Sequence, residues 1–170
     1  RRNKIILGLI LVFIMFFSVA EYSFLSNQSQ ENTQNQTGNK ADYNGFEFSE
    51  QNGYWILDSD KGSFIFSYNP NEIPRINAVV NTVENYNGKI LYLKSDNILV
   101  SSEIRVNLAQ ITNGITETEN ENCQQNTIII KENNENRIAQ KENCVYIEGK
   151  KEDLIKITDE FLFKLLKITN

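Results

Sequence analysis

Apolar residues in this 170-residue chain fall into two regions, which a polar tract separates. The first region is a nearly unbroken apolar run over residues 5–25, and three cations precede it within residues 1–4. About 20 apolar residues span roughly 30 Å of hydrocarbon as a helix. Cations at one end place that end in the cytoplasm under the positive-inside rule. We therefore expect residues 1–25 to be a single-pass signal anchor that contacts the lipid bilayer through residues 5–25, with an extracytoplasmic C-terminal domain at the cell membrane.

A cleaved signal peptide is the alternative for the same run. If the run ended at Ala20, its length would suit a signal peptide, and Ser18 and Ala20 would supply the small residues that the peptidase needs. Tyr22 and Phe24 extend the run and suit the aromatic belt of a membrane interface. Retention of the segment as an anchor is therefore the favoured prediction.

The polar tract follows at residues 26–42. Its first fifteen residues contain no large apolar side chain, so it cannot bury enough surface to offset its ordering entropy. We predict a flexible tether. Asn27 and Asn35 each begin an N-glycosylation sequon, on the side of the membrane where glycosylation takes place. A tract rich in Asn, Gln and Thr also produces such sequons by chance, so both interpretations stand.

The second apolar region, residues 43–170, begins with alternating patterns typical of strands. Segments 46–48, 54–57 and 63–68 alternate and are separated by turn residues, which predicts a three-stranded antiparallel meander. Its aromatic side chains could form a sugar- or peptide-binding platform, although core packing is the more usual role. The candidate partner surface consists of Trp55, Phe64, Phe66 and Tyr68.

The next part of this region predicts a strand, a helix and a strand over residues 89–131. An apolar stripe of Val100, Ile104, Leu108 and Ile111 has helical spacing. Two strands joined through a helix favour a parallel crossover. Residues 137–149 are predicted to return as one strand that pairs with 127–131.

The chain closes with an amphipathic helix. Leu154, Ile157, Phe161 and Leu165 form its apolar stripe, and Asp159 and Glu160 are expected on its solvated surface. The two carboxylates could act as a pair only if the helix lined a cleft. Residues 43–170 therefore predict a single two-layer α+β domain, with a mixed, mostly antiparallel sheet and two main helices.

Two cysteines, Cys123 and Cys144, lie in the part expected outside the membrane. An even count in an oxidising compartment predicts a disulfide. Closing a loop of that size would stabilise the fold by about 3 kcal/mol. Two free buried thiols are the alternative.

Composition excludes several functions. The chain has no histidine, which removes Ser-His and Cys-His nucleophile systems and His-ligated zinc. Without the three N-terminal cations, 14 basic residues face 22 acidic ones, so the exported part carries about −8 and should not bind nucleic acid.

The acidic run Glu117, Glu119 and Glu121 could hold a cation, but a solvated loop is favoured. The sequence predicts no cofactor, no metal and no catalytic residue.

Three stretches resemble a pattern found in uncharacterised single-pass proteins of small-genome archaea. They read FSYNPNEI at 66–73, NCVYIEG at 143–149 and DEFLFKLL at 159–166. The resemblance covers most of the region after the tether. It implies an N-terminal anchor followed by a cysteine-bridged extracytoplasmic domain, and it implies no particular activity.

Two functions remain compatible with these patterns. The first is a membrane-tethered extracytoplasmic binding or structural module of the cell envelope, with an envelope protein or a glycan as its partner. The second is a His-free extracytoplasmic hydrolase that uses carboxylates. A deep pocket with two inward carboxyl groups would favour the hydrolase.

Overall fold

A computed structural model describes residues 38–169 of the chain. The chain divides into two units, residues 1–37 and residues 38–170. The predicted anchor and the sequons at Asn27 and Asn35 lie outside the described residues, as does most of the tether. Within residues 38–169, no helix combines the length and the apolar content needed to cross a membrane.

An antiparallel sheet opens the described region. It contains β1 (Lys40–Tyr43), β2 (Phe46–Gln51), β3 (Tyr54–Ser59) and β4 (Gly62–Phe66), in that order. The predicted meander is therefore confirmed, but β1 adds a strand where the tether was expected to continue. Ala41 and Tyr43 alternate inward along β1 and are both buried, which explains why this polar stretch is ordered.

The second sheet is mostly parallel. It contains β5 (Leu91–Lys94), β6 (Ile115–Glu117), β7 (Thr127–Glu132), β8 (Arg137–Lys141) and β9 (Cys144–Gly149), in the order β6-β5-β7-β9-β8. Helix α1 (Ile98–Leu108) connects β5 to β6, and β5 pairs in parallel with both β6 and β7. The expected parallel strand–helix–strand arrangement is confirmed.

The prediction that residues 137–149 form one strand is wrong, although their second half does pair with β7. They form a hairpin, β8 and β9, rather than one strand, and β9 pairs with β7 in parallel, whereas β8 lies at the edge. The first four residues of β7 are buried on both faces, which is typical of an interior strand in a parallel sheet. A mostly antiparallel arrangement therefore describes only the first sheet.

The closing helix lies between the two sheets, and α1 packs against it and against β4. Helix α2 (Leu154–Leu165) has ten of its twelve residues buried. On one side, the Phe163 ring contacts Phe66 of β4 at a centroid distance of 4.7 Å. On the other side, Ile157 packs against Gly149 of β9. The predicted two-layer domain is therefore an α+β fold with two sheets and a helical layer between them, built around one hydrophobic core.

Two connections position the features described below. Residues 73–82 run without regular helix or strand structure before a 3₁₀ turn at Val83–Asn85. The predicted disulfide is confirmed: Cys123 and Cys144 are bonded, with their Cα atoms 4.9 Å apart. It ties the loop before β7 to the first residue of β9.

Candidate functional site

Asp159 and Glu160 are fully buried, so the prediction of a solvated position is wrong. The reason is tertiary: α2 is enclosed by both sheets and by α1, which leaves little of its surface for solvent. Buried carboxyl groups need hydrogen-bond partners or neutralisation. The two residues meet this need in different places, and these places define two polar sites.

The first site lies at the outer edge of β4, and we call it the β4-edge cluster. It consists of Glu103 and Asn107 of α1, Gln110 in the turn after α1, and Asp159 of α2. Asn107 is fully buried, and its side-chain amide makes the two hydrogen bonds with Ile65 that a neighbouring strand would otherwise make. The Ile65 N–H donates to Asn107 Oδ1 (2.8 Å), and Asn107 Nδ2 donates to Ile65 O (2.7 Å).

The other side chains extend the same pairing along β4. The Ser67 N–H and hydroxyl donate to the Glu103 carboxylate at 3.0 and 2.8 Å, and Gln110 Nε2 donates to Ser63 O at 2.9 Å. An unpaired strand edge invites further strand pairing. The side chains of the cluster pair with the backbone groups of that edge, so the role of the cluster is structural.

Asp159 completes the cluster. Its Oδ2 accepts a hydrogen bond from the Tyr68 N–H at 3.2 Å, whereas its Oδ1 is buried with no hydrogen-bond donor, and the Glu103 carboxyl group lies nearby. Burial, followed by the charge of Glu103, raises the pKa of Asp159 well above its ordinary value. A protonated Asp159 is therefore the form that donates to Glu103. The sequence reading missed this cluster, although the polar residues at 103, 107 and 110 repeat at helical spacing beside the apolar stripe.

The second site is a cleft of about 480 Å³, which we call the Glu160 cleft. Three parts of the fold line it. They are the start of β2 with its preceding turn (Asn44 and Phe46), the extended segment 75–77 (Arg75, Ile76 and Asn77) and the C-terminal end of α2 with the residues that follow (Glu160, Lys164, Lys167, Ile168 and Thr169).

Only one of the two carboxylate oxygens of Glu160 has partners in this cleft. Its Oε1 accepts from the Ile76 N–H and pairs with Lys164 Nζ, both at 3.3 Å, whereas its Oε2 is buried and has no hydrogen-bond partner. Burial raises the pKa of Glu160, and the cations of Lys164 and Arg75 act against that rise. The unpaired oxygen therefore remains an acceptor at the wall of the cleft.

Thr169 shows the same feature. Its Oγ1 is buried without a partner, and the residue lines the same cleft. A buried polar atom without a partner is costly, about 1–3 kcal/mol, and native proteins contain few of them. Among the described residues, Tyr43 Oη, Tyr86 Oη and Asp159 Oδ1 are also buried without a partner, so the shared cleft is what sets Glu160 and Thr169 apart.

Lys167 reaches the cleft from a strained backbone position. Its φ of 62° lies in the left-handed region, and α2 ends there in a Schellman motif. The Ile168 N–H donates to Phe163 O and the Lys167 N–H donates to Lys164 O. Glycine is the usual residue at this position, because a side chain there costs about 1–2 kcal/mol. The chain keeps a cation at the cleft despite that cost.

A second cleft, of about 660 Å³, lies where β5 and β7 end. Crevices at the carboxyl ends of parallel strands commonly bind ligands. Here, however, Glu121 pairs with both Lys94 and Lys131, at 3.1 and 2.7 Å. Its neighbour in the acidic run, Glu117, pairs with Arg105 at 2.7 Å. Within the described residues, no acidic or cysteine cluster forms a metal site.

The candidate aromatic surface on the meander belongs mainly to the core. Phe64 and Phe66 are fully buried and Trp55 is 9 % exposed, so these three side chains cannot form a partner platform. Tyr68 is half-buried, and Lys156 Nζ lies 4.7 Å from its ring centroid. These rings are buried, and not exposed as a platform requires, because the sheet packs against α2.

Comparison of the chain with protein-family models, with curated proteins and with solved structures gives no match. The chemistry of the two sites therefore rests on their own residues.

Proposed function

We propose that the chain is a membrane-tethered extracytoplasmic binding module of the cell envelope, and that the Glu160 cleft is its ligand site. The single observation that carries the proposal is one cleft lined by two residues whose side-chain oxygens, Glu160 Oε2 and Thr169 Oγ1, are buried without a partner. Such atoms favour a bound partner because a ligand recovers the cost of leaving them unpaired.

The disulfide supports the location part of the proposal. Bonded cysteines persist in oxidising compartments and are rare in the reducing cytosol. Cys144 is fully buried beside β7, and its bond to Cys123 holds the loop before β7 against the sheet. The apolar run at 5–25 and its flanking cations agree with a membrane anchor.

The hydrolase alternative has less support. General acid–base catalysis on a glycoside needs two carboxyl groups about 5–10 Å apart across the substrate. Glu160 is the single carboxylate among the residues that line its cleft. Asp159 and Glu103 are engaged with the backbone of the two residues that follow β4, Tyr68 and Ser67. A binding role is therefore the better supported function.

Site-specific photo-crosslinking in intact cells tests the binding role. A benzophenone amino acid replaces Asn77, which is exposed and lines the Glu160 cleft, in the full chain. A matched variant carries the same group at Glu135, an exposed residue between β7 and β8. We expect discrete crosslinked products from position 77 that are absent from position 135. The same products from both positions, or none from position 77, would contradict the proposal.

The location is tested separately through the two cysteines. Cells are quenched in acid, denatured, and treated with a maleimide that adds mass to free thiols, with and without prior reduction. We expect Cys123 and Cys144 to react only after reduction. Modification of both residues without reduction would show free thiols in the cell and would overturn export.

A further inference from the structure

We propose that the Glu160 cleft binds an acidic sugar, that is, a ligand with a carboxylate and neighbouring hydroxyl groups, such as a uronic acid. The inference rests on the proposed binding function and names its ligand class. It follows from three kinds of groups that the cleft brings together: cations, unpaired hydrogen-bond acceptors and an aromatic wall.

The cations select an anion. Arg75 and Lys167 line the cleft, and Glu160, the single carboxylate among its described lining residues, is paired with Lys164, whereas the chain as a whole is acidic, with a net charge of −5. Arg75 and Lys167 are exposed, so a ligand can reach both. Arginine is suited to carboxylates because its planar fork offers parallel N–H donors.

The unpaired acceptors select donors on the same ligand. Glu160 Oε2 can only accept a hydrogen bond when the carboxylate is ionised, and Thr169 Oγ1 is the second unpaired oxygen. Both atoms are buried, so each side chain must turn toward the cleft to meet a ligand. Hydroxyl groups satisfy both without adding positive charge. An ammonium group would also donate, but it would meet the exposed cations of Arg75 and Lys167 at the cleft.

An aromatic wall suits the remaining surface of a sugar. Phe46 is half-buried and lines the cleft beside the cations. Sugar rings present apolar C–H faces as well as hydroxyl groups, and aromatic rings pack well against such faces. The volume of about 480 Å³ falls within the range of small-molecule sites.

The test measures binding of four probes to the full chain in detergent by isothermal titration calorimetry. The probes are glucuronate, glucose, acetate and inorganic sulfate. We expect glucuronate to bind at least ~10-fold more tightly than each of the others, because only glucuronate combines charge with hydroxyl groups. Equal affinity for acetate or sulfate, or no saturable glucuronate binding, overturns the proposal.

Two variants separate the contributions. Lys167→Gly removes a cation and releases backbone strain, and we expect both glucuronate and acetate to bind about fivefold more weakly. Thr169→Val has nearly the same shape, and we expect it to weaken glucuronate but not acetate. Neither change is expected to unfold the domain, since each relieves a local cost.

Two control variants accompany them. Glu142→Gly relieves the same kind of backbone strain, since Glu142 has a φ of 53° at the β8–β9 turn. Lys89→Gln removes an exposed cation that lines neither cleft. We expect both controls to bind glucuronate like the unchanged chain. An equal loss in either control would contradict a role of the cleft.

A final arm identifies the source of the sugar. Tighter binding of a glucuronate-containing oligosaccharide than of free glucuronate indicates a residue within an envelope glycan, and the reverse order indicates a free sugar. Failure of this inference is distinguishable from failure of the binding function. Crosslinks from position 77 without glucuronate affinity would leave the binding function and remove the acidic sugar.

Discussion

The β4-edge cluster and the Glu160 cleft hold adjacent residues of one helix in opposite situations. Asp159 points to a closed site, where its Oδ2 accepts from the Tyr68 N–H and its unpartnered Oδ1 lies near a carboxyl group of the chain itself, that of Glu103. Glu160 points to an open site, where one oxygen has partners and the other has none. Both residues are fully buried, so burial alone does not distinguish structure from function.

The difference lies in what completes the hydrogen bonds. At the β4 edge, the chain supplies donors and acceptors from α1, α2 and the strand itself. At the cleft, the chain supplies cations and acceptors but leaves two oxygens for another molecule. We infer that changes at the first site lower stability, and that changes at the second alter binding while stability is kept or raised.

The largest expected effect is that of Asn107→Ala. The change removes both hydrogen bonds to Ile65 and leaves a backbone N–H and a C=O unpaired beside the helix. We expect the free energy of unfolding to fall by about 3 kcal/mol. Denaturant titration measures it, with the exposed Ser102→Ala on the same helix as control. A loss below about 1 kcal/mol would show that the edge does not need the amide.

Asp159→Asn should change how the stability of the fold depends on pH. Because the pKa of Asp159 is raised in the fold, the folded state binds more protons than the unfolded one above the ordinary pKa of about 3.9. Stability is therefore full at low pH and declines as pH rises through the folded-state pKa. Asparagine imitates the protonated acid at every pH. We expect the variant to be more stable than the unchanged chain at pH 8, by about 1–2 kcal/mol.

Thermal unfolding between pH 4 and pH 9 checks this second prediction. The exposed Asp58→Asn serves as control and should keep the original pH profile. The exposed Glu84 acts in the opposite direction, since its pKa is lowered to about 2 by Lys61, so its contribution is lost only as pH falls below about 4.5. A profile of Asp159→Asn that is parallel to that of the unchanged chain would contradict the protonated form.

The smallest expected effect on stability belongs to the cleft. Lys167→Gly should raise the free energy of unfolding by about 1 kcal/mol, because glycine adopts the left-handed end of α2 without strain. Glu142→Gly should give a similar gain at the β8–β9 turn. The same denaturant titration measures both. A lower stability of Lys167→Gly would mean that the lysine contributes to the fold, and the contrast between the two sites would fail.

Local patterns were sufficient to predict several elements. The apolar stripe of Val100, Ile104 and Leu108 predicted α1, and the closing stripe predicted α2, because helical spacing is a property of neighbouring residues. The meander and the disulfide were predicted for similar reasons. The signals for these elements lie within short stretches or in the residue count.

Sequence reasoning did not predict the two polar sites. The partners of Asp159 and Glu160 are backbone groups of Tyr68 and Ile76, far away along the chain. Helical spacing shows that the two carboxylates point in different directions, but it does not show that a second sheet covers both. The strand β1 and the parallel pairing of β9 were missed for the same reason, since strand partners are chosen across the whole fold.

The sequence by itself therefore determined where apolar surface must be buried, which residues form helices and which cysteines pair. The tertiary structure alone decided which polar residues enter the interior, and which of them remain unsatisfied. The physical reason is that apolar burial is non-directional and follows local spacing. A buried hydrogen bond requires a particular partner at about 3 Å, and only the assembled fold brings that partner into place.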